Sequence, residues 1–227
     1  MTALQPSTQP RTADEPSTAP AHPRPRVAGA KLPPPQRCAP VWQGRIDRPD
    51  FTGEHPLVWL LGATGGAGVT ALCASMPLAG DCNRAWPEAS PNTGDSPCTV
   101  IVTRTTAAGI ARAHDLVVQW CAGGTSPHVQ LLGVISVADS DRPLNPDTRA
   151  ALELLESAVP YRWRVGWIEP WRFMLPEELP SFTPGREIPT GRKAFRDLAA
   201  VPPRQVVDLQ ADLLEAAKHT LSGKDSP

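Results

Sequence analysis

The residues of this chain whose types and spacing could do chemistry are Gly62, Thr64, Gly65, Gly66, Ala67, Gly68, Val69 and Thr70 in one run, with Arg104 and Asp139 further along. The run sits inside "VWLLGATGGAGVTAL", Val58 to Leu72, where an apolar stretch enters a glycine-rich turn that should open a helix. Glycines let consecutive backbone N–H groups wrap an anion, and the first turn of a helix adds further donors. The run carries no lysine. Three readings stay open at this point: a working nucleotide loop, a loop for another phosphate-bearing ligand, or a tight strand-to-helix turn that favours glycine and holds nothing. Arg104 and Asp139 each follow an apolar run, where ligands bind in open α/β sheets. The bland readings are a structural ion pair for Arg104, and loop solvation or helix capping for Asp139 and Asp141.

These residues need elements to position them. Leu57 to Leu61 reads as a short buried strand, followed by the loop Gly62 to Gly68 and a helix from about Val69 that fades before Pro77. Residues 77 to 97, rich in Pro, Gly, Asp and Asn, read as a connecting loop with little structure of its own. Thr99 to Thr103 is a second strand, and Ile110, Ala113, Val117 and Trp120 or Cys121 recur at helical spacing until Gly123 and Gly124 end that helix. Val129 to Asp139 is apolar on both faces, as in a parallel sheet covered on each side. The next helix is capped by Asn145 or Asp147, with Ala151, Leu154, Leu155 and Ala158 as its inner stripe. Tyr161, Trp163, Val165 and Trp167 alternate with polar residues or glycine, the pattern of an edge strand. Residues 172 to 203 are Pro-rich and irregular. A closing helix then places Val206, Leu209 or Leu213, Ala217 and Leu221 on one face. Alternating strands and helices give an α/β three-layer sandwich with a mainly parallel sheet.

Composition sets the frame. Residues 1 to 50 are dense in Pro and lack apolar periodicity, so they are expected to form a disordered arm. Residues 51 to 222 are expected to form one α/β domain, and 223 to 227 a tail. A net charge of −1 gives no general attraction to nucleic acid or anionic lipid. The five cysteines are scattered and lack a C-x-x-C pair, so no zinc site or disulfide framework is indicated. No run approaches a membrane span and no signal-peptide core opens the chain, so a soluble cytoplasmic protein is expected. The five histidines show no metal-ligand spacing. Trp163, Trp167 and Trp171 interleaved with Arg162, Arg164 and Arg172 could stack bases, but the near-neutral charge favours a core-facing stripe with a solvated opposite face.

The window from Ala63 to Thr70, set against G-x-x-x-x-G-K-[ST], resembles the deviant P-loop of the MinD/ParA-like ATPases, where G-K-G-G-x-G-K-[ST] follows a strand. Gly65, Gly66, Gly68 and Thr70 match. Ala63 replaces the first glycine, and Thr64 and Val69 replace the two lysines. The resemblance implies a P-loop-like fold and an ATP-with-magnesium site that has lost its phosphate cations. Its implied role is a scaffold or regulatory protein with weak or no hydrolysis. It also implies a protein partner, for which the Pro-rich arm is suited, and a homodimer like those the family forms around nucleotide. No catalytic residue is assigned. Two alternatives remain: a divergent ATPase that uses a non-lysine cation such as Arg104, and a Rossmann-like dinucleotide binder. In the latter, Gly62, Gly65 and Gly68 resemble the glycine turn of short-chain dehydrogenases, although Tyr161 lacks the lysine four residues on that their chemistry needs.

Overall fold

The computed structural model describes residues 35–46, 55–183 and 201–223. Five strands form one sheet: β1 (Val58–Gly62), β2 (Ala79–Asp81), β3 (Cys98–Arg104), β4 (Gln130–Val137) and β5 (Tyr161–Val165). All neighbours run parallel, in the order β2-β1-β3-β4-β5. The sandwich expected from the alternation of elements is therefore present. Parallel neighbours need crossovers, and the order reverses once: β1 leads outward to β2, whereas β3 leads the other way to β4 and β5. Right-handed crossovers then put helices on opposite faces. Accordingly, α1 (Val69–Ser75) lies on one face with the closing helix α4 (Arg204–Leu221), and α2 (Ala107–Cys121) and α3 (Pro146–Ser157) lie on the other.

Successive strand residues feed these two cores in turn, the period of two that a pleated strand dictates. Val58, Leu60, Val100 and Val102 pack with Leu72 of α1 and Leu209 and Leu213 of α4. Trp59, Leu61, Ile101 and Val134 pack with Ile110, Val117 and Trp120 of α2 and Leu152 and Leu155 of α3. Each such aliphatic side chain, fully buried, is worth about 1.5–3 kcal/mol. Thr106 caps α2 by accepting from the Gly109 N–H at 3.1 Å, and Asn145 caps α3 by accepting from the Thr148 N–H at 2.8 Å.

Four local expectations are corrected. Residues 77–97 contain β2, held by its register against Val58, Trp59 and Leu60, and they carry the fully buried Trp86. Residues 35–46, assigned by composition to the arm, pack on the domain. Val41 bridges to Trp86, the Trp86 N–H donates to the Pro40 carbonyl at 2.8 Å, and the buried Gln119 amide exchanges hydrogen bonds with the Ala39 backbone. They cover the β2-to-β3 crossover, where no helix stands. The remainder of the expected arm, residues 1–34 and 47–50, lies outside the described residues, as do 184–200 within the Pro-rich stretch. The inner stripe of α3 is Leu152 and Leu155, while Ala151 and Leu154 face solvent. The cause lies in β5: Arg164 holds the buried Glu156 through bonds of 2.8 and 2.5 Å, which turns that flank of the helix inward. In α4, Val206, Leu209, Leu213 and Ala217 are buried as expected, but Leu221 at its end is exposed. β5 is an edge strand as expected, with Trp163 and Val165 inward and Arg162 and Arg164 outward.

One position fixes the β4–β5 seam. A Cβ on Gly133 would lie 1.9 Å from the Tyr161 carbonyl oxygen, beside the register shift where Thr99 faces Leu131 and Val100 faces Gly133. Gly133→Ala is expected to cost about 2 kcal/mol or more by forcing the strands apart, lowering Tm by roughly 4–8 °C. A thermal melt of the variant checks this, and an unchanged Tm contradicts the register.

Candidate ligand-binding crevice

The glycine loop leaves β1 at Gly62 and enters α1 at Val69. Its shape depends on two left-handed residues, Gly66 at φ +74° and Gly68 at φ +100°, which side-chain-bearing residues adopt only with strain. The Ala63 N–H donates to the Val102 carbonyl at 2.8 Å, extending the β1–β3 seam by one step. Beyond it, the N–H groups of Thr64, Gly65, Gly66 and Gly68 make no hydrogen bond among the described residues. Consecutive amides in such a turn form a concave anion-binding surface.

The loop residues divide by role. Thr64, Gly65, Gly66 and Gly68 line a crevice of about 490 Å³. Ala67 and Val69 are buried in the first core, so the position where the P-loop lysine would stand is occupied by a packing residue. Gly62 makes room for it: a Cβ there would lie 3.2 Å from Val69 Cγ2. Thr70 is exposed and is not part of the crevice wall.

The other walls come from the carboxyl ends of the remaining strands, because a parallel sheet delivers all of those ends to one edge. Arg104 and Thr106 follow β3, Val137 to Asp139 close β4, and Val165 and Gly166 close β5. The crevice spans the place where strand order reverses between β1 and β3, the position at which doubly wound sheets of this order bind ligands. Arg104 acts there as a fork. Its Nε donates to the Gly66 carbonyl at 3.0 Å and its Nη1 to the Ala138 carbonyl at 2.7 Å. The ion pair expected for Arg104 is absent among the described residues, which leave Nη2 without a partner. Asp139 is exposed, and its N–H donates to Thr105 Oγ1 at 3.1 Å. Asp141 lies outside the lining.

The sequence reading missed the fourth wall. Trp163 belongs to the core and stacks on Tyr161 at 5.7 Å, but Trp167, Ile168, Trp171 and Arg172 line the crevice. Trp167 Nε1 donates to Glu169 Oε2 at 2.5 Å, and the Arg172 guanidinium lies 5.5 Å over the Trp167 ring. Trp171 packs against the first core, and its buried Nε1 has no partner among the described residues. One signal separated the tryptophans: the period-two alternation breaks at Ile168, directly after Trp167, and Trp167 and Trp171 are four apart.

The lining thus offers amides, two guanidiniums, one carboxylate, two threonine hydroxyls and two indoles. Thiols are not part of it. Burial pushes Cys98 up to about 11, and Cys82 well above its ordinary value through burial, Asp81 and Cys73, so both stay protonated at neutral pH. Among the described residues, no group of three His, Cys, Asp or Glu could hold a metal, and no helix is long and apolar enough to cross a membrane. No family model, curated protein or solved structure matches the chain.

Arg104 is the tie between loop and sheet. Arg104→Met is expected to lower stability by about 1–2 kcal/mol through loss of two charged hydrogen bonds. Arg104→Lys should recover little of it, since an ammonium is a point donor and cannot reproduce the planar fork. Denaturant melts of the three proteins check this, and full stability in the lysine variant would contradict the bridge.

Proposed function

We propose that the protein is a nucleotide-binding regulatory or scaffold protein, P-loop-like in its glycine loop and with weak or no hydrolysis. The observation that carries the reading is convergence. Thr64, Gly65, Gly66 and Gly68 meet Arg104 and Asp139 at one crevice while residue 69 is a valine packed in the core. Unpaired amides favour binding a phosphate. Phosphoryl transfer needs more, namely a cation placed on the charge that develops in the transition state. Arg104 is a weak candidate for that cation because two of its nitrogens already hold the loop and β4.

A ligand-bound state of such a protein acts through contacts. The Pro-rich stretch before residue 35 suits recognition of a protein partner in an extended conformation. Self-association around the nucleotide is the other route that the MinD/ParA resemblance suggests. A Rossmann-like dinucleotide binder is the second reading, supported by the spacing of Gly62, Gly65 and Gly68 in the loop.

Thermal-shift titration of the full chain with ATP, ADP, GTP, NADH and NADPH, each with and without magnesium, tests these readings. A ligand at one hundred times its Kd should stabilise the protein by about 2.7 kcal/mol. The proposal expects stabilisation without turnover. Magnesium-dependent hydrolysis that Thr70→Ala abolishes would replace it with the divergent ATPase, and a response to NADH or NADPH alone would favour the dinucleotide binder.

A further inference from the structure

We propose that the crevice selects a phosphomonoester carrying one flat aromatic ring system, with the phosphate on the glycine loop and the ring against Trp167 and Trp171. This inference rests on the reading above that the crevice holds a phosphate-bearing ligand, and it names the class.

Charge sets the number of phosphates. The lining holds Arg104 and Asp139 on the loop side and Arg172 beside the tryptophans, where Glu169 pairs with it at 3.4 Å, so no surplus of positive charge stands at the loop. A phosphomonoester dianion carries about −1.5 to −2 at neutral pH. The loop amides and the remaining Nη2 of Arg104 are the donors that meet it, enough for a single phosphoryl group. Each further phosphoryl group adds negative charge for which the lining offers no cation, since the position of the P-loop lysine is Val69 in the core.

Distance sets the shape. The loop stands at the end of β1 and the tryptophans follow β5, with β3 and β4 between them. Three inter-strand spacings place these ends about 14 Å apart. A phosphate joined through a sugar or similar linker to a ring reaches across that span, whereas inorganic phosphate occupies only one end.

The far end is built for a ring. Trp167 is held by Glu169 on its N–H and by Arg172 over its face, so little side-chain freedom is left to lose on stacking. Trp171 is anchored on the core with a buried N–H that no described residue accepts. The indole is thereby fixed as a wall of the crevice, a flat face against which a ring can pack.

The test uses the full chain and its tryptophan fluorescence, titrated with AMP, GMP, flavin mononucleotide, Mg–ATP and inorganic phosphate. At least one aromatic monophosphate is expected to bind ten-fold or more tightly than Mg–ATP and inorganic phosphate. Trp171→Phe should weaken it about ten-fold, and the exposed Arg172→Gln, which leaves the core packing in place, should also weaken it. Binding of Mg–ATP as tight as that of the monophosphates overturns this inference and leaves the nucleotide reading intact. Monophosphate binding unchanged in both variants overturns the ring assignment. No binding by any compound overturns both readings.

Discussion

Arg104 ties together three strand ends that the chain supplies from distant places. Rooted at the end of β3, it reaches the Gly66 carbonyl on one side and the Ala138 carbonyl on the other. Those partners lie 38 and 34 residues away in sequence. By occupying the carbonyl of Gly66, the guanidinium fixes the direction in which the neighbouring peptide groups point. The unbonded amides of Thr64, Gly65, Gly66 and Gly68 are therefore part of a loop held against the sheet. The same fork spans the reversal of strand order, where adjacent crossovers diverge and leave space above the sheet.

The two cores explain why that space has firm walls. Val69 fills the first core behind Gly62, which sets the start of α1, and Trp171 leans on the same core from the β5 side. On the opposite face, the β2-to-β3 crossover lacks a helix, and residues 35–46 close it through Trp86 and the Gln119 amide. A buried amide with each hydrogen-bonding group partnered is a specific device: it accepts only a backbone in one register. The end of the Pro-rich stretch thereby becomes structural.

Much of the architecture was legible in the sequence because strands buried on both faces read as continuous apolar runs, as β1, β3 and β4 do. The helical stripes of α2 and α4 were legible because each helix buries one face, which leaves apolar residues three or four apart. β2 was not, since Ala-Gly-Asp has no strand propensity of its own and is defined by pairing with β1. Residues 35–46 share the composition of the stretch before them, with Val41, Trp42 and Ile46 as their only apolar signal. The face of α3 was misread because Glu156 is drawn inward by Arg164 of another element. At the site, the motif identified the loop, and the parallel sheet explains why Arg104 and Asp139 join it. It did not reveal that Ala67, Val69 and Gly62 serve packing, nor that two of the tryptophans leave the core to form a wall.

On the proposed function, the lysine-free loop holds a phosphate through its amides. The most direct measurement is a ¹⁵N–¹H spectrum of the protein titrated with GMP, following the amides of Gly65, Gly66 and Gly68 and the indole N–H of Trp171. Saturable downfield shifts of the loop amides, with a ring-current shift of the Trp171 indole signal at the same Kd, are expected. Saturation elsewhere in the protein while these signals stay in place would contradict that reading.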